Sequence, residues 1–131
     1  MASETIISSE CPHTERTVGG TTVVELYGEI DIVAAHSLTV CLDGLTASLR
    51  PDLVVDLRAV SFIDSAGLTP LCRARNRITR RHGRLRLVAD SARVLRVMSG
   101  AGLSDVFEIH DRLPEALAVA APEGPLLGAA S

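Results

Sequence analysis

The apolar residues divide this chain into segments with strand-like and helix-like patterns. β-Branched residues crowd positions 21–27, and positions 53–57 are almost entirely apolar. Both segments are therefore predicted strands, and the second is predicted to be buried on both faces of a sheet. Shorter patterns predict further strands between 6 and 17, at 85–89 and at 106–109. The stretch from Asp56 to Ser61 is predicted to contain the end of the buried strand and a loop.

Helical spacing of apolar residues predicts four helices between these strands. They span residues 33–49, residues 65–82, a short segment after Ser91, and a segment from Asp111 to about 121. The core-facing residues of the first are predicted to be Ala34, Ala35, Leu38, Cys41, Leu42, Leu45 and Leu49. Gly28 is predicted to end a strand and Gly83 to close the second helix. Helices that alternate with strands indicate an α/β protein, and the pattern alone leaves a three-layer sandwich open.

The turn before the second helix carries the most distinctive chemistry. Asp64 and Ser65 stand directly before the helical pattern, and a serine in that position is a common N-cap. Gly67 has no Cβ, so another surface could approach its backbone closely. Ser65 could therefore be a cap, a nucleophile, part of a phosphate-binding turn or a site of phosphorylation.

Two of these alternatives are weakened by the surrounding residues. The nucleophile motif G-x-S-x-G is absent, because Ile63 stands at its first glycine. A P-loop needs a lysine, and the chain contains none. A general base at Asp64 would also need a third group, and the four histidines show no suggestive spacing. We therefore predict no catalytic residue, no cofactor and no enzymatic activity, which leaves a cap or a site for added phosphate.

Composition indicates one soluble domain. The chain has 131 residues, of which 47% are hydrophobic and 22% charged. A net charge of −3 and only 2% aromatic residues argue against nucleic acid as a partner. The three cysteines, Cys11, Cys41 and Cys72, are odd in number and form no C-x-x-C, so neither a metal site nor a disulfide framework is predicted. No apolar run is long enough to span a membrane, and no signal peptide is evident, so a cytoplasmic location is expected.

Arginines are concentrated on and after the second predicted helix. A solvated outer face is the expected role of such a run. The alternative is a docking face for an acidic partner or for nucleic acid, and the lack of aromatic residues and of a recognition-helix motif disfavours nucleic acid. The cluster consists of Arg73, Arg75, Arg77, Arg80, Arg81, Arg84 and Arg86.

Two motifs together resemble a known family. Residues 62–68, after the apolar run that includes residues 54–57, resemble the signature of the STAS family (sulfate transporter and anti-sigma factor antagonist). Residues 28–31, after a strand-like run, resemble the second motif of that family, and the likeness covers roughly residues 21–119. It is greatest to the free-standing bacterial anti-sigma factor antagonists. The resemblance implies an α/β fold, a mixed sheet of four to five strands with about four helices mostly packed on one face.

The same resemblance implies a function and a site. In those antagonists, the serine that follows the aspartate is phosphorylated by a partner that is both kinase and anti-sigma factor, and a serine phosphatase reverses the modification. Here that serine is Ser65, and Ala66 leaves it the one candidate acceptor in the turn. Asp31 could cap the first helix, contact the partner, or do both. The implied partner-binding residues are Gly28, Glu29, Asp31, Asp64, Ser65, Ala66 and Gly67.

The expected organisation is a STAS domain at 11–121 between flexible tails at 1–10 and 122–131. A monomer or weak dimer is expected, without nucleic acid or membrane as partners. The alternatives are a structural subunit of a larger assembly, in which Ser65 is only a cap, and a small hydrolase that uses Ser65.

Overall fold

A computed structural model of the chain describes residues 4–6 and 12–118. Six strands belong to this described part: β1 (Glu4–Ile6), β2 (His13–Val18), β3 (Thr21–Ile30), β4 (Asp52–Ile63), β5 (Arg84–Val88) and β6 (Glu108–His110). Its helices are α1 (Ile32–Leu45), α2 (Ser65–Arg80), α3 (Ala92–Gly100) and α4 (Leu113–Ala118). None of these helices is both long and apolar enough to cross a membrane.

The strands form one mixed sheet in the order in which they occur along the chain. β1, β2 and β3 pair antiparallel, whereas β3, β4, β5 and β6 pair parallel. The predicted α/β class with a mixed sheet and four helices is confirmed. The short edge strand β1 lies within residues 1–10, which the sequence assigned to a tail, and it brings the number of strands to six. The predicted tail at 122–131 lies outside the described residues.

The two faces of the sheet bury very different amounts of apolar surface. Helices α1, α2 and α3 cover one face, over a core that includes Leu26, Leu57 and Leu87. Helix α4 covers part of the opposite face, where a smaller cluster is formed around Val54 and Ala116. Most helices therefore pack on one face, as the family resemblance implied, and the heavily covered face positions α1 and α2 side by side.

Strand β4 is longer than the sequence predicted. The expected loop from Asp56 to Ser61 is wrong, because the strand continues to Ile63 through two shifts in its register with β3. Asp56 is buried and accepts hydrogen bonds from the backbone and guanidinium nitrogens of Arg58. β3 likewise continues past Gly28, which adopts a φ of +78° beside one of the shifts instead of ending the strand.

Both long helices end earlier than predicted. α1 stops at Leu45, so Leu49 is 88% exposed and does not belong to the core face. After α2, the left-handed position is taken by His82, with a φ of 59°, and the amide of Gly83 donates to the carbonyl of Ile78 at 2.9 Å. Gly83 is required for a different reason than predicted: a Cβ there would lie 2.1 Å from the backbone oxygen of Pro51.

The arginine cluster does not form a single solvated face. Arg73 makes two hydrogen bonds to Asp43, at 2.8 and 3.0 Å, which tie α2 to α1 and lower the pKa of Asp43. Arg84 pairs with Glu108 across β5 and β6. Arg86 is fully buried under α4, where burial lowers its pKa and where it donates to Asp52 and to the carbonyl of Ala116. The prediction of a solvated role is therefore wrong for Arg86.

Candidate functional site

Two neighbouring parallel strands end side by side and lead directly into the two longest helices. Ile30, the last residue of β3, pairs with Ile63, the last residue of β4. One residue follows each strand, Asp31 before α1 and Asp64 before α2. The register of the sheet therefore brings the N-termini of α1 and α2 to the same edge of the domain. This juxtaposition joins the two sequence motifs into one site.

Aspartates cap both helices. The Oδ1 atom of Asp31 accepts hydrogen bonds from the amides of Val33 and Ala34, at 3.1 and 3.0 Å. The Oδ1 atom of Asp64 accepts from the amide of Gly67 at 3.0 Å. These bonds satisfy backbone donors that the first turn of a helix leaves without partners. The N-cap expected for Asp31 is confirmed.

Ser65 is the first helical residue of α2 and does not cap the helix. The interpretation of Ser65 as a cap is wrong because Asp64, one position earlier, has the extended backbone and the capping hydrogen bond. The side chain of Ser65 is exposed, while that of Ala66 is half-buried. The next hydroxyl along the helix, that of Thr69, is also exposed and donates to the carbonyl of Ser65 at 3.4 Å.

Gly67 is buried and faces the interior of the domain. A Cβ at this position would lie 2.6 Å from the backbone oxygen of Ile30 and 2.8 Å from a side-chain carbon of Ile63. The close approach predicted at Gly67 is therefore made by the ends of β3 and β4, and the glycine is not available for contact with a partner. Its small size is what allows the first turn of α2 to rest against the sheet.

Replacing Gly67 with alanine is expected to lower the free energy of unfolding by about 1–3 kcal/mol, since the added methyl group would have to displace backbone. Gly44 offers a matched control inside α1, because a Cβ there would meet nothing within 4 Å. Gly44→Ala should be neutral or stabilise the domain by up to about 1 kcal/mol. Urea denaturation of the two variants measures both effects, and equal midpoints would contradict the packing role of Gly67.

Three large apolar side chains are exposed around these helix starts. Ile32 and Val33, in the first turn of α1, are 73% and 57% exposed, and Phe62, at the end of β4, is 41% exposed. Side chains of this kind in a cluster commonly mark an interaction site. We define the Ser65 surface as the exposed or half-buried residues at this edge of the domain: Gly28, Glu29, Asp31, Ile32, Val33, Phe62, Asp64, Ser65 and Ala66.

The sequence did not identify Ile32, Val33 and Phe62 as functional residues. A signal was present for two of them, because Ile32 and Val33 precede the core periodicity that starts at Ala34 and are apolar without belonging to it. Phe62 pairs with Glu29 across the second register shift, a position that only the observed strand pairing reveals.

The Ser65 surface combines exposed apolar side chains with carboxylates. Glu29, Asp31 and Asp64 supply the carboxylates, and the latter two lie at the positive ends of helix dipoles, which favour negative charge. Within the described part of the chain, the residues that could together hold a metal ion are His13, Glu15 and Cys41, on β2 and α1. The Ser65 surface itself has the features of a protein-docking surface with one exposed hydroxyl.

The sequence and the fold match a known family. The model of the STAS domain family matches residues 14–116, so the chain belongs to the STAS domain family. Over 98 residues the chain is 31% identical to the anti-sigma-F factor antagonist RsfB of Mycobacterium tuberculosis, covering 75% of this chain and 80% of that protein.

Solved structures agree with this assignment. An anti-sigma factor antagonist from Mycobacterium paratuberculosis superposes with a TM-score of 0.74 at 29% identity, over 89% of this chain and 92% of that one. SpoIIAA in its unphosphorylated form superposes with a TM-score of 0.62 at 18% identity, over 81% of this chain and 94% of that one, which is a likeness of fold alone.

Proposed function

We propose that this protein is an anti-sigma factor antagonist controlled by phosphorylation of Ser65. The observation that carries the proposal is the position of Ser65: it is exposed in the first turn of α2, beside two aspartate-capped helix starts and three exposed apolar side chains. The named function of the mycobacterial relatives supports the class. Unmodified protein binds an anti-sigma factor through the Ser65 surface, and the sigma factor is released.

Binding of the unmodified form draws on the exposed apolar side chains of the Ser65 surface. Ile32, Val33 and Phe62 gain free energy when a partner removes them from water, in proportion to the apolar area covered. Basic groups of a partner can pair with the carboxylates of Asp31 and Asp64 and fix the orientation of the complex.

Phosphorylation would reverse this binding by placing charge in a surface that must lose water. A phosphate adds a charge of about −1.5 to −2 and three acceptor oxygens at Ser65. The neighbouring carboxylates are already negative, so the phosphate gains no counter-ion from Asp31 or Asp64. The positive end of the α2 dipole stabilises the phosphate in the free domain. Desolvating it against a partner costs several kcal/mol, and about 5.5 kcal/mol is enough to move a complex from almost fully bound to almost fully free.

The exposed hydroxyl also allows reversal. A serine at the first position of a helix, with its side chain in solvent, can enter the active site of a kinase without unfolding of the domain. The same exposure permits a phosphatase to remove the group. The partners in the proposed cycle are therefore an anti-sigma factor with serine kinase activity and a separate serine phosphatase, and the proposed cycle takes place in the cytoplasm.

Phosphate mapping tests the proposed site. Protein purified from its own cells should include a form that is heavier by about 80 Da, one phosphate, with the modification on Ser65. Incubation with ATP and a cognate anti-sigma factor kinase should label wild-type protein and Thr69→Ala, but should not label Ser65→Ala. Thr69 is the matched control because its hydroxyl is exposed one turn further along α2. Phosphate on Ser65→Ala, or loss of phosphate in Thr69→Ala, would show that the phosphorylated residue is not Ser65.

Asp31 allows the capping role and the binding role to be separated. Asp31→Ala should lower the free energy of unfolding by about 0.5–2 kcal/mol, because the amides of Val33 and Ala34 lose their acceptor. Asp31→Asn keeps a good N-cap but removes the charge. It should therefore unfold like wild type and bind the anti-sigma factor more weakly. Calorimetric titration measures this affinity, and wild-type affinity in Asp31→Asn would exclude the carboxylate charge from the contact.

A further inference from the structure

A buried histidine, a carboxylate and a thiol converge away from the Ser65 surface. They are His13 and Glu15 on β2 and Cys41 on α1. His13 is only 6% exposed, and the side chains of Glu15 and Cys41 are half-buried. Their donor atoms, one from each residue, all lie within 4.8 Å of one another.

The fold builds this cluster from two parts of the chain. Alternate residues of a strand point to the same face, so His13 and Glu15 project together. That face is the one covered by α1, because their partners in β3 are Leu26 and Val24, two residues of the main core. Cys41 reaches the pair from α1, beside the core residue Leu42. Separations of 26 and 28 residues along the chain explain why no spacing motif indicated a metal site.

The three distances between donor atoms match one face of a tetrahedral coordination sphere. Nε2 of His13 lies 3.1 Å from Oε2 of Glu15, and Sγ of Cys41 lies 3.5 Å from the first atom and 3.7 Å from the second. Usual zinc–nitrogen, zinc–oxygen and zinc–sulfur bond lengths at tetrahedral angles require about 3.3 Å between nitrogen and oxygen and about 3.6 Å from sulfur to either. Small movements of these side chains would therefore complete the site.

We propose that His13, Glu15 and Cys41 form a zinc site that fastens β2 to α1. Imidazole, carboxylate and thiolate are all ligands of zinc in proteins, whereas magnesium and calcium prefer oxygen donors alone. Water can supply the fourth ligand. The ion takes the place of the Cys41 proton, which passes to solvent as the zinc–sulfur bond forms, so the affinity rises with pH. The site joins β2, which lies next to the edge strand β1, to α1, so a bound ion would hold these two elements together.

Metal titration of the full chain without an affinity tag tests the proposal. Wild-type protein should bind one zinc ion with a Kd of about 1 µM or tighter, measured against a chromogenic chelator. Cobalt(II) should give the intense visible absorption of four-coordinate sites together with a sulfur-to-cobalt charge-transfer band in the near ultraviolet. Bound zinc should also raise the melting temperature. Absence of the sulfur band in wild-type protein, or affinity far weaker than stated, would overturn the proposal and leave a hydrogen-bonded triad.

Two cysteine variants identify the sulfur. Cys41→Ser is nearly isosteric and should weaken zinc binding by at least about 100-fold and remove the charge-transfer band. Cys72→Ser is the matched control, because Cys72 is also half-buried but lies on α2 against the main core. It should bind zinc and cobalt like wild type. Both variants keep Cys11, so any contribution of that residue is common to all titrations. Equal binding by Cys41→Ser and wild type would refute the site.

Discussion

Ser65→Asp is expected to abolish detectable binding to the cognate anti-sigma factor without destabilising the free domain. Asp64 remains the N-cap of α2, so the substitution does not disturb the capping hydrogen bond to Gly67. A carboxylate in the first turn of a helix lies at the positive end of the dipole, which favours it by about 0.3–1 kcal/mol. In the complex, the same carboxylate would lose water, and an unpaired buried charge costs several kcal/mol.

Ser65→Asn separates charge from size in this experiment. Asparagine has nearly the shape of aspartate but is neutral, so it should keep most of the wild-type affinity. Calorimetric titration should show a loss of at least about 1,000-fold for Ser65→Asp, equivalent to about 4 kcal/mol. Equal losses in both variants would mean that bulk, not charge, breaks the complex. Wild-type affinity in Ser65→Asp would mean that this hydroxyl is not the switch.

The periodicity of apolar residues predicted the helices and strands well, because an element that is buried on one face has apolar residues at regular spacing in the sequence. Each predicted helix and strand has a counterpart in the described part of the chain, although several observed ends differ from the predicted ends by a few residues. The ends are set by details that periodicity does not contain. In the turn before α2, for example, Asp64 and Ser65 are both good capping residues, and only the backbone conformation decides between them.

Long-range packing accounts for what the sequence could not predict. Nothing near Arg86 indicates that α4 will cover it and that Ala116 will accept its hydrogen bond. The role of Gly67 likewise depends on Ile30, a residue from another strand. In both cases the deciding partner is 30 or more positions away in the sequence.

For the candidate site too, some features could be predicted from neighbouring residues in the sequence, whereas others depend on residues far apart in it. Local motifs identified Asp31, Asp64 and Ser65, because these residues stand before helical patterns and within the two stretches that resemble the STAS family. The family resemblance implied that the two motifs form one site, and the pairing of Ile30 with Ile63 supplies the physical cause, which the sequence alone did not contain. The exposure of Ile32, Val33 and Phe62 required the structure, since the apolar character of a residue does not by itself determine whether it is buried.

The exposed apolar side chains of the Ser65 surface are the basis of the second large effect. Ile32→Asp should weaken binding of the unmodified protein to the anti-sigma factor by at least about 100-fold, or about 3 kcal/mol. Burying an isoleucine side chain contributes about 1.5–3 kcal/mol, and the new carboxylate adds a cost of desolvation. The free domain should tolerate the change, because Ile32 is 73% exposed and its position at the start of α1 favours an acidic side chain.

Leu49→Asp is the matched control for Ile32→Asp. Leu49 is even more exposed, at 88%, but it lies beyond the opposite end of α1. The two substitutions introduce the same charge on an exposed apolar residue, so any general effect of net charge on association is common to both. Leu49→Asp should bind the anti-sigma factor like wild type, and both variants should melt within a few degrees of wild type. If the two variants lose affinity equally, or neither does, the partner does not dock on the helix starts, because only a contact at Ile32 distinguishes them.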